Sequence, residues 1–391
     1  MISSLPRPRR YLRLAGVSAS AMVAGIALAA CSSSGGGGST SASGTSSASA
    51  GADSATVSSA ATLATAAEAT PSSIYQKTPL KATPDKNHLL VYINSGVSGG
   101  VEINDGMRAA AQALGWGFKS LSFTNANPTS LITAMQQALQ LHATAVSFSG
   151  DPETVWGSQV SAYQKAHAFI IPVAVGPGVQ INQTVPANIG DFTDAGKAMG
   201  NWLISKSGGK ASALEVGIPA LPVLTTSLTG MNEVLKAKCP SCQTTTLNAT
   251  LNQINSNALV PAIVSNLREH PSTKYVISAY QPFTAGLTNA MKAAGLNDIT
   301  YAGAQPDPSD LAAIKSGGSE AMAAIQNNVL LGWMVADSAA RAVEGMTIPA
   351  GDGGAPSQLL VKSNIKSTSL DGYALPPNYQ QEFKTLWKVS G

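Results

Sequence analysis

The most constraining feature of the chain is an alternation. From Asn87 onward, short apolar runs and longer stretches of helical periodicity follow one another with little between them. "HLLVYIN" reads as a buried strand, and "EINDGMRAAAQALG" places Ile103, Met107, Ala110, Ala111 and Leu114 on one helical face. "FKSLSF" and "PTSLITAMQQALQL" repeat the pair, the second opening at Pro128 and Thr129. "ATAVSFS" and "DPETVWGSQVSAYQKA" repeat it again, with Asp151 as the expected N-cap and Pro152 at the first helical position. "AFIIPVAVG" is a fourth strand. This order predicts a mostly parallel sheet with helices on both faces, because a right-handed crossover lays each helix back onto the sheet.

The pattern then runs a second time. "TDAGKAMGNWLISKSG", "TTSLTGMNEVLKAK", "INSNALVPAIVSNLREHP", "PFTAGLTNAMKAAG" and "PSDLAAIKSGG" read as helices. Between and after them lie the strands "SALEVGIP", "CQTTTLNA", "TKYVISAY", "ITYAGA" and "SEAMAAIQ". A long helical pattern, "NVLLGWMVADSAARAVEGM", and a late strand, "SQLLVKSN", follow. The expected fold class is therefore α/β, with two similar doubly wound, mostly parallel-sheet lobes in tandem.

In open parallel sheets, ligands sit beyond the carboxyl ends of the strands. Those ends are rich in Ser, Thr, Asn, Gln and Gly, and apart from Asp151, Glu153 and Asp307 they carry no charge. The formal net charge is +3, and the Lys and Arg residues are scattered, which argues against nucleic acid or an acidic substrate. The histidines, His88, His142, His167 and His270, fall at strand starts or helix ends, on the side of the sheet away from those loops. No HExxH metal site and no GxxxxGK[ST] phosphate loop occurs, and "GVSGG" is not GxGxxG. Asp151 and Glu153 could act as an acid/base pair, but capping and the helix dipole account for both. Binding without turnover is thus the expectation, with no cofactor and no metal.

The ends of the chain add a compartment. Arg7, Arg9, Arg10 and Arg13 precede the apolar "LAGVSASAMVAGIALAA", and Leu28-Ala29-Ala30-Cys31 resembles a lipobox, in which Cys31 becomes the lipidated first residue. An uncleaved membrane span is the alternative, but the run is short and full of Ala, Gly and Ser. Residues 1–31 are read as this signal. Residues 32–85, led by the aromatic-free stretch from Ser32 to Ser73, are read as a disordered Ser/Gly/Ala tether. Cys239 and Cys242 could form a redox motif or half of a zinc site. No second Cys pair exists, however, and they sit between a helix and a strand, so a small disulfide in an oxidising space is expected.

The whole succession resembles the type I periplasmic binding proteins, in particular their sugar-binding, ribose-binding-protein-like subgroup. The resemblance runs from about Lys86 to about Lys366. It rests on "EINDGMRAAAQALGW" behind the first strand, "AVSFSGDPETVW", "NIGDFTDAGKAMGNWLI", "YVISAYQPFTAGLTNAMKAAG" and "ITYAGAQPDPSDLAAIKSGG". It implies two lobes joined by a three-segment hinge: residues 86–188 plus 327–354 as the first, and 189–326 plus 355–391 as the second. It also implies a ligand trapped where the lobes close.

The charged sugar clamps usual in that family are replaced, by Gly176 and Pro177, by the stretch Thr225 to Thr229, and by Tyr280, Gln281 and Gln305. The family's final glutamine matches Gln326. The candidate ligand-binding residues are Ser95, Ser149, Asp151, Trp156, Thr226, Asn248, Tyr280, Gln281, Gln305 and Gln326, with Phe283 as a second stacking ring. They describe an uncharged pocket for a neutral sugar or polyol, or for a less polar neutral compound. The implied partners are an ABC permease and, through the lipid, the outer face of the cell membrane, with the chain acting as a monomer. A receptor for a membrane sensor kinase is the alternative, and an extracellular hydrolase would have to show turnover.

Overall fold

The structure, a computed structural model, describes residues 52–124, 127–348 and 354–389. The expected signal, Cys31 and the first part of the tether lie outside the described residues. Among those described, no helix is long and apolar enough to cross a membrane.

The first element is a helix, α1 (Ser54–Ala67), where a disordered tether was expected. Asp53 caps it by accepting from Thr56 N at 2.7 Å, and Ala60 and Ala64 are buried against the second lobe. Composition hides this element. It lacks large apolar side chains, but alanine is the best helix former, and two small residues one turn apart allow close approach to a neighbouring helix. Residues 74 to 83 then run along the first lobe. Ile74 and Leu80 are buried there, and Leu80 N donates to Leu386 O at 2.8 Å. The tether reading therefore fails for residues 52–85.

Lobe 1 comprises β1 (Leu89–Asn94), α2 (Ser98–Leu114), β2 (Gly117–Ser122), α3 (Pro128–Gln140), β3 (Ala145–Phe148), α4 (Glu153–Trp156), α5 (Val160–Lys165) and β4 (Phe169–Ile170). The strands are parallel in the order β2-β1-β3-β4. Central β1 is buried on both faces, which is why "LLVYI" is apolar throughout. The expected cap at Asp151 is absent: Pro152 holds the N-cap position of α4 with no side-chain bond.

Lobe 2 comprises α6 (Thr193–Ser207), β5 (Ser212–Gly217), α7 (Pro222–Lys238), β6 (Gln243–Asn248), α8 (Leu251–Asn255), α9 (Leu259–Glu269), β7 (Tyr275–Ser278), α10 (Leu287–Ala293), β8 (Thr300–Ala304), α11 (Pro308–Ser316) and β9 (Glu320–Gln326). The chain then returns to lobe 1 as α12 (Asn328–Val343), which packs on α2. It re-enters lobe 2 as β10 (Ser357–Val361), antiparallel to β9, and ends in α13 (Tyr379–Leu386). The lobe 2 sheet runs β10-β9-β8-β7-β5-β6. These are the two similar, mostly parallel α/β lobes expected from the alternation, joined by chain crossings as the resemblance implies. Cys239 and Cys242 are joined as a disulfide at the turn after α7.

One boundary is corrected at the C-terminus. Residues 355–391 were assigned to lobe 2, yet Phe383, Leu386 and Trp387 belong to the buried core of lobe 1. Trp387 stacks on Trp333 of α12 at 5.5 Å with the rings nearly parallel. The chain therefore crosses between lobes beyond the three hinge segments, near residues 68–74 and 374–379.

Each lobe fastens a pair of helices by a glycine. A Cβ added at Gly106 of α2 would strike the backbone of Val329 on α12, and one at Gly196 of α6 would strike the backbone of Ser227 on α7. Only a residue without a side chain permits these crossings.

Candidate functional site

The carboxyl ends of both sheets face a cleft of about 480 Å³ between the lobes. Gln326, the last residue of β9, sits where the chain crosses. Its Nε2 donates to Asp191 O at 2.8 Å and to Ala355 O at 3.0 Å, so one amide ties together three crossing segments. This fixes the orientation of the amide, whose Oε1 is buried and has no partner among the described residues, the side chain being 1% exposed.

Gln305, just past β8, is 8% exposed, and its Nε2 is likewise unpartnered. Its φ is +52°, a left-handed conformation that costs a non-glycine residue energy and that clusters at functional sites. Both amides thus stand in the cleft wall with one buried atom short of a hydrogen bond among the described residues.

Of the expected residues, Ser95, Ser149, Tyr280, Gln305 and Gln326 line the cleft together. Ser149 Oγ accepts from Tyr92 OH at 3.1 Å, and Tyr280 meets Phe283 edge to face at 4.7 Å. Burial, then the charges of Glu102, Asp307 and Asp310, push the Tyr280 phenol above its ordinary pKa.

The other five lie elsewhere. Trp156 is fully buried against Phe148, and its Nε1 donates to Asp151 O at 3.0 Å. Asp151 itself does not line the cleft; burial raises its carboxyl pKa. Thr226 Oγ1 accepts from Phe192 N at 3.1 Å and donates to Val223 O at 2.6 Å, supporting the wall from behind. Gln281 is buried inside lobe 2, donating to Glu320 Oε1 at 2.7 Å. Asn248 ends the edge strand β6 and lines a separate groove with Glu215 and Thr246.

The expectation of an uncharged pocket is also corrected. Glu102 on α2, Asp307 at the cap of α11 and Asp371 all line the cleft, and no Lys, Arg or His does so among the described residues. Glu102 accepts from Asn328 Nδ2 at 2.8 Å, and Asp307 Oδ1 accepts from the N–H groups of Ser309 and Asp310. Sequence reasoning missed Glu102 because it lies one turn inside a helix rather than in a strand-end loop. It missed Asp371 because that residue follows the last strand it identified.

Sequence reasoning also overlooked that Gly96 to Gly100 spell G-x-S-x-G where β1 turns into α2, the setting of a nucleophile elbow. A hydroxyl at Ser98 would need a base. The cleft brings it no imidazole: His142, His167 and His270 are exposed, and His88 packs on Trp116. Among the described residues, no group of three or more His, Cys, Asp or Glu side chains is arranged to hold a metal.

Comparison with known proteins agrees with this fold. The 5-methylthioribose transporter solute-binding protein of Thermotoga lettingae superposes with a TM-score of 0.63 at 16% identity, over 80% of this chain and 100% of its own. An ABC transporter solute-binding protein of Mycobacterium smegmatis with bound glycerol gives 0.62 at 18%, over 74% and 100%. One from Agrobacterium vitis with bound allitol gives 0.61 at 19%, over 72% and 97%. At these identities the likeness is one of fold. No curated protein matches the chain. Residues 91–347 match the model of the periplasmic binding protein domain. That span covers most of both lobes and the cleft, and the chain belongs to the periplasmic binding protein family.

Proposed function

We propose that the chain is the solute-capturing component of an ABC importer, taking up a small neutral sugar or polyol outside the cell as a monomer held to the membrane by a lipid on Cys31. The observation that carries this reading is a cleft at the carboxyl ends of both sheets lined by the hydroxyls and amides of Ser95, Ser149, Tyr280, Gln305 and Gln326, with no Lys, Arg or His among the described residues that line it. A solute hydroxyl, which both donates and accepts, can pair with side chains of either kind. The carboxylates of Glu102 and Asp371 offer further acceptors for hydroxyls and disfavour phosphates and carboxylates. That three solved structures of the same fold hold 5-methylthioribose, glycerol and allitol supports the same class.

Capture follows from the hinge. A solute seated against Gln326 touches the residue that binds the crossing segments, and one that also touches lobe 1 gains contacts only when the lobes are together. Such differential contact shifts the population toward the closed form that a permease would recognise.

Thermal-shift and calorimetric screening against neutral sugars, polyols and sugar phosphates tests the reading. Neutral compounds are expected to raise the melting temperature, because binding to the native state stabilises it. Gln305→Ala and Gln326→Ala are expected to weaken that binding at least tenfold. A response confined to charged compounds would overturn it. Cys31→Ser should release the protein from the membrane fraction, and uptake assays with the permease deleted separate import from a sensing role.

A further inference from the structure

The two walls of the cleft differ in chemistry. Lobe 1 contributes Ser95, Ser98, Ser149, Glu102 and Asn328, with Val97 as its exposed apolar side chain. Lobe 2 contributes the carboxylates of Asp307 and Asp371 and four apolar or aromatic side chains: Leu221 at the start of α7, the Tyr280–Phe283 pair, and Leu370 beyond β10. These four side chains are half-buried. Behind them stand the buried Phe192, Val223, Leu224 and Ile325, so the wall is continuous with the lobe 2 interior.

A solute with hydroxyls on every edge would use the lobe 1 wall and the two glutamine amides. It would then press hydroxyls against Leu221 and Phe283, apolar side chains that offer them no partner, and each desolvated hydroxyl left unpaired there would count against binding. An apolar group on that edge would instead cover side chains that solvent now wets. The rings of Tyr280 and Phe283, set edge to face, present both a face and an edge to such a group.

We propose that the solute is two-sided: a neutral sugar or polyol bearing an alkyl or aryl substituent. Its hydroxyls meet lobe 1 and the amides of Gln305 and Gln326, and its substituent lies on Leu221, Tyr280, Phe283 and Leu370. The proposal rests on the solute-capture reading and sharpens its substrate class. It also gives the lobes separate tasks. Lobe 2 selects the substituent, and lobe 1 reads the hydroxyls as the cleft closes.

The test is a calorimetric panel on the full chain. Glycerol, D-ribose, D-xylose, D-glucose and D-galactose are each measured free and as their butyl and phenyl ethers or glycosides, against the native protein, Phe283→Ala and Ser149→Ala. The expected result is a pair in which the substituted member binds at least tenfold more tightly than its parent. Phe283→Ala should erase that gain, whereas Ser149→Ala should weaken both members alike and keep it. Parents that bind as tightly as their substituted partners, or a gain that survives Phe283→Ala, would overturn the proposal while leaving solute capture standing. A panel in which no member binds, free or substituted, would overturn both.

Discussion

The two lobes share a plan but bury charge in opposite ways. Lobe 1 hides a cation–anion pair. Arg341 of α12, 1% exposed, donates from Nε to Asp337 Oδ2 at 2.7 Å and from Nη2 to Oδ1 at 3.1 Å. The same Nη2 reaches Thr78 O at 2.8 Å, and Trp387 Nε1 donates to Asp337 Oδ1 at 2.8 Å. Lobe 2 hides two acids. Glu320 of β9, 4% exposed, is hydrogen-bonded to Asp310 of α11 and accepts from Gln281 Nε2. Burial, then the neighbouring Asp310, pushes the Glu320 pKa up to about 9, and burial raises that of Asp310 to about 6. The contrast shows two ways to keep a polar core neutral: by pairing opposite charges, or by retaining a proton.

Removing one member of the lobe 1 pair gives the largest expected effect. Arg341→Met leaves a buried carboxylate without its cation and should cost about 3–5 kcal/mol in chemical denaturation. Adding Asp337→Leu should recover much of that loss. A single-variant cost below about 1 kcal/mol would show that the pair is not the fastening it looks to be.

The glycine crossings come next. Gly106→Ala in lobe 1 and Gly196→Ala in lobe 2 each force a methyl group into backbone, and each should cost about 1–3 kcal/mol or more by overpacking. Similar losses would mark the crossings as equivalent devices, and a loss confined to one lobe would break the symmetry of the plan.

A third effect separates the lobes by pH. A carboxyl whose pKa is raised on folding stabilises the protein fully below its unfolded value, near 4.5. That stability is lost as pH rises toward the folded value. The native protein should therefore lose stability between about pH 5 and about pH 9. Glu320→Gln, which cannot ionise, should flatten that decline and melt higher than the native protein at pH 9. An unchanged pH profile in Glu320→Gln would place the titration elsewhere.

Much of the frame was legible in the sequence because each sheet is covered on both faces, so its strands read as apolar runs between periodic helices. α13 carried a readable signal too: Tyr379, Phe383 and Trp387 recur every four residues, the spacing of one helical face. α1 did not, because its contact relies on alanines that composition reads as filler.

In the site, position along a strand was legible but direction was not. Tyr280 faces the cleft while Gln281, the next residue, turns into lobe 2. The edge position of β6 carries Asn248 away from the cleft, a fact of strand order that no single segment encodes. Trp156 had equal claims to cleft and core from its spacing, and packing against Phe148 decided it.

The clasp formed by the two chain ends sets the limits of the unit able to fold by itself. The family pattern covers residues 91–347, but a polypeptide trimmed to that span would strip Ala60 and Ala64 from the second lobe. It would also leave Trp333 without its aromatic neighbours and take from Asp337 and Arg341 the indole and carbonyl that complete their bonding. Any recombinant form intended for ligand work should retain Ala52 through Val389.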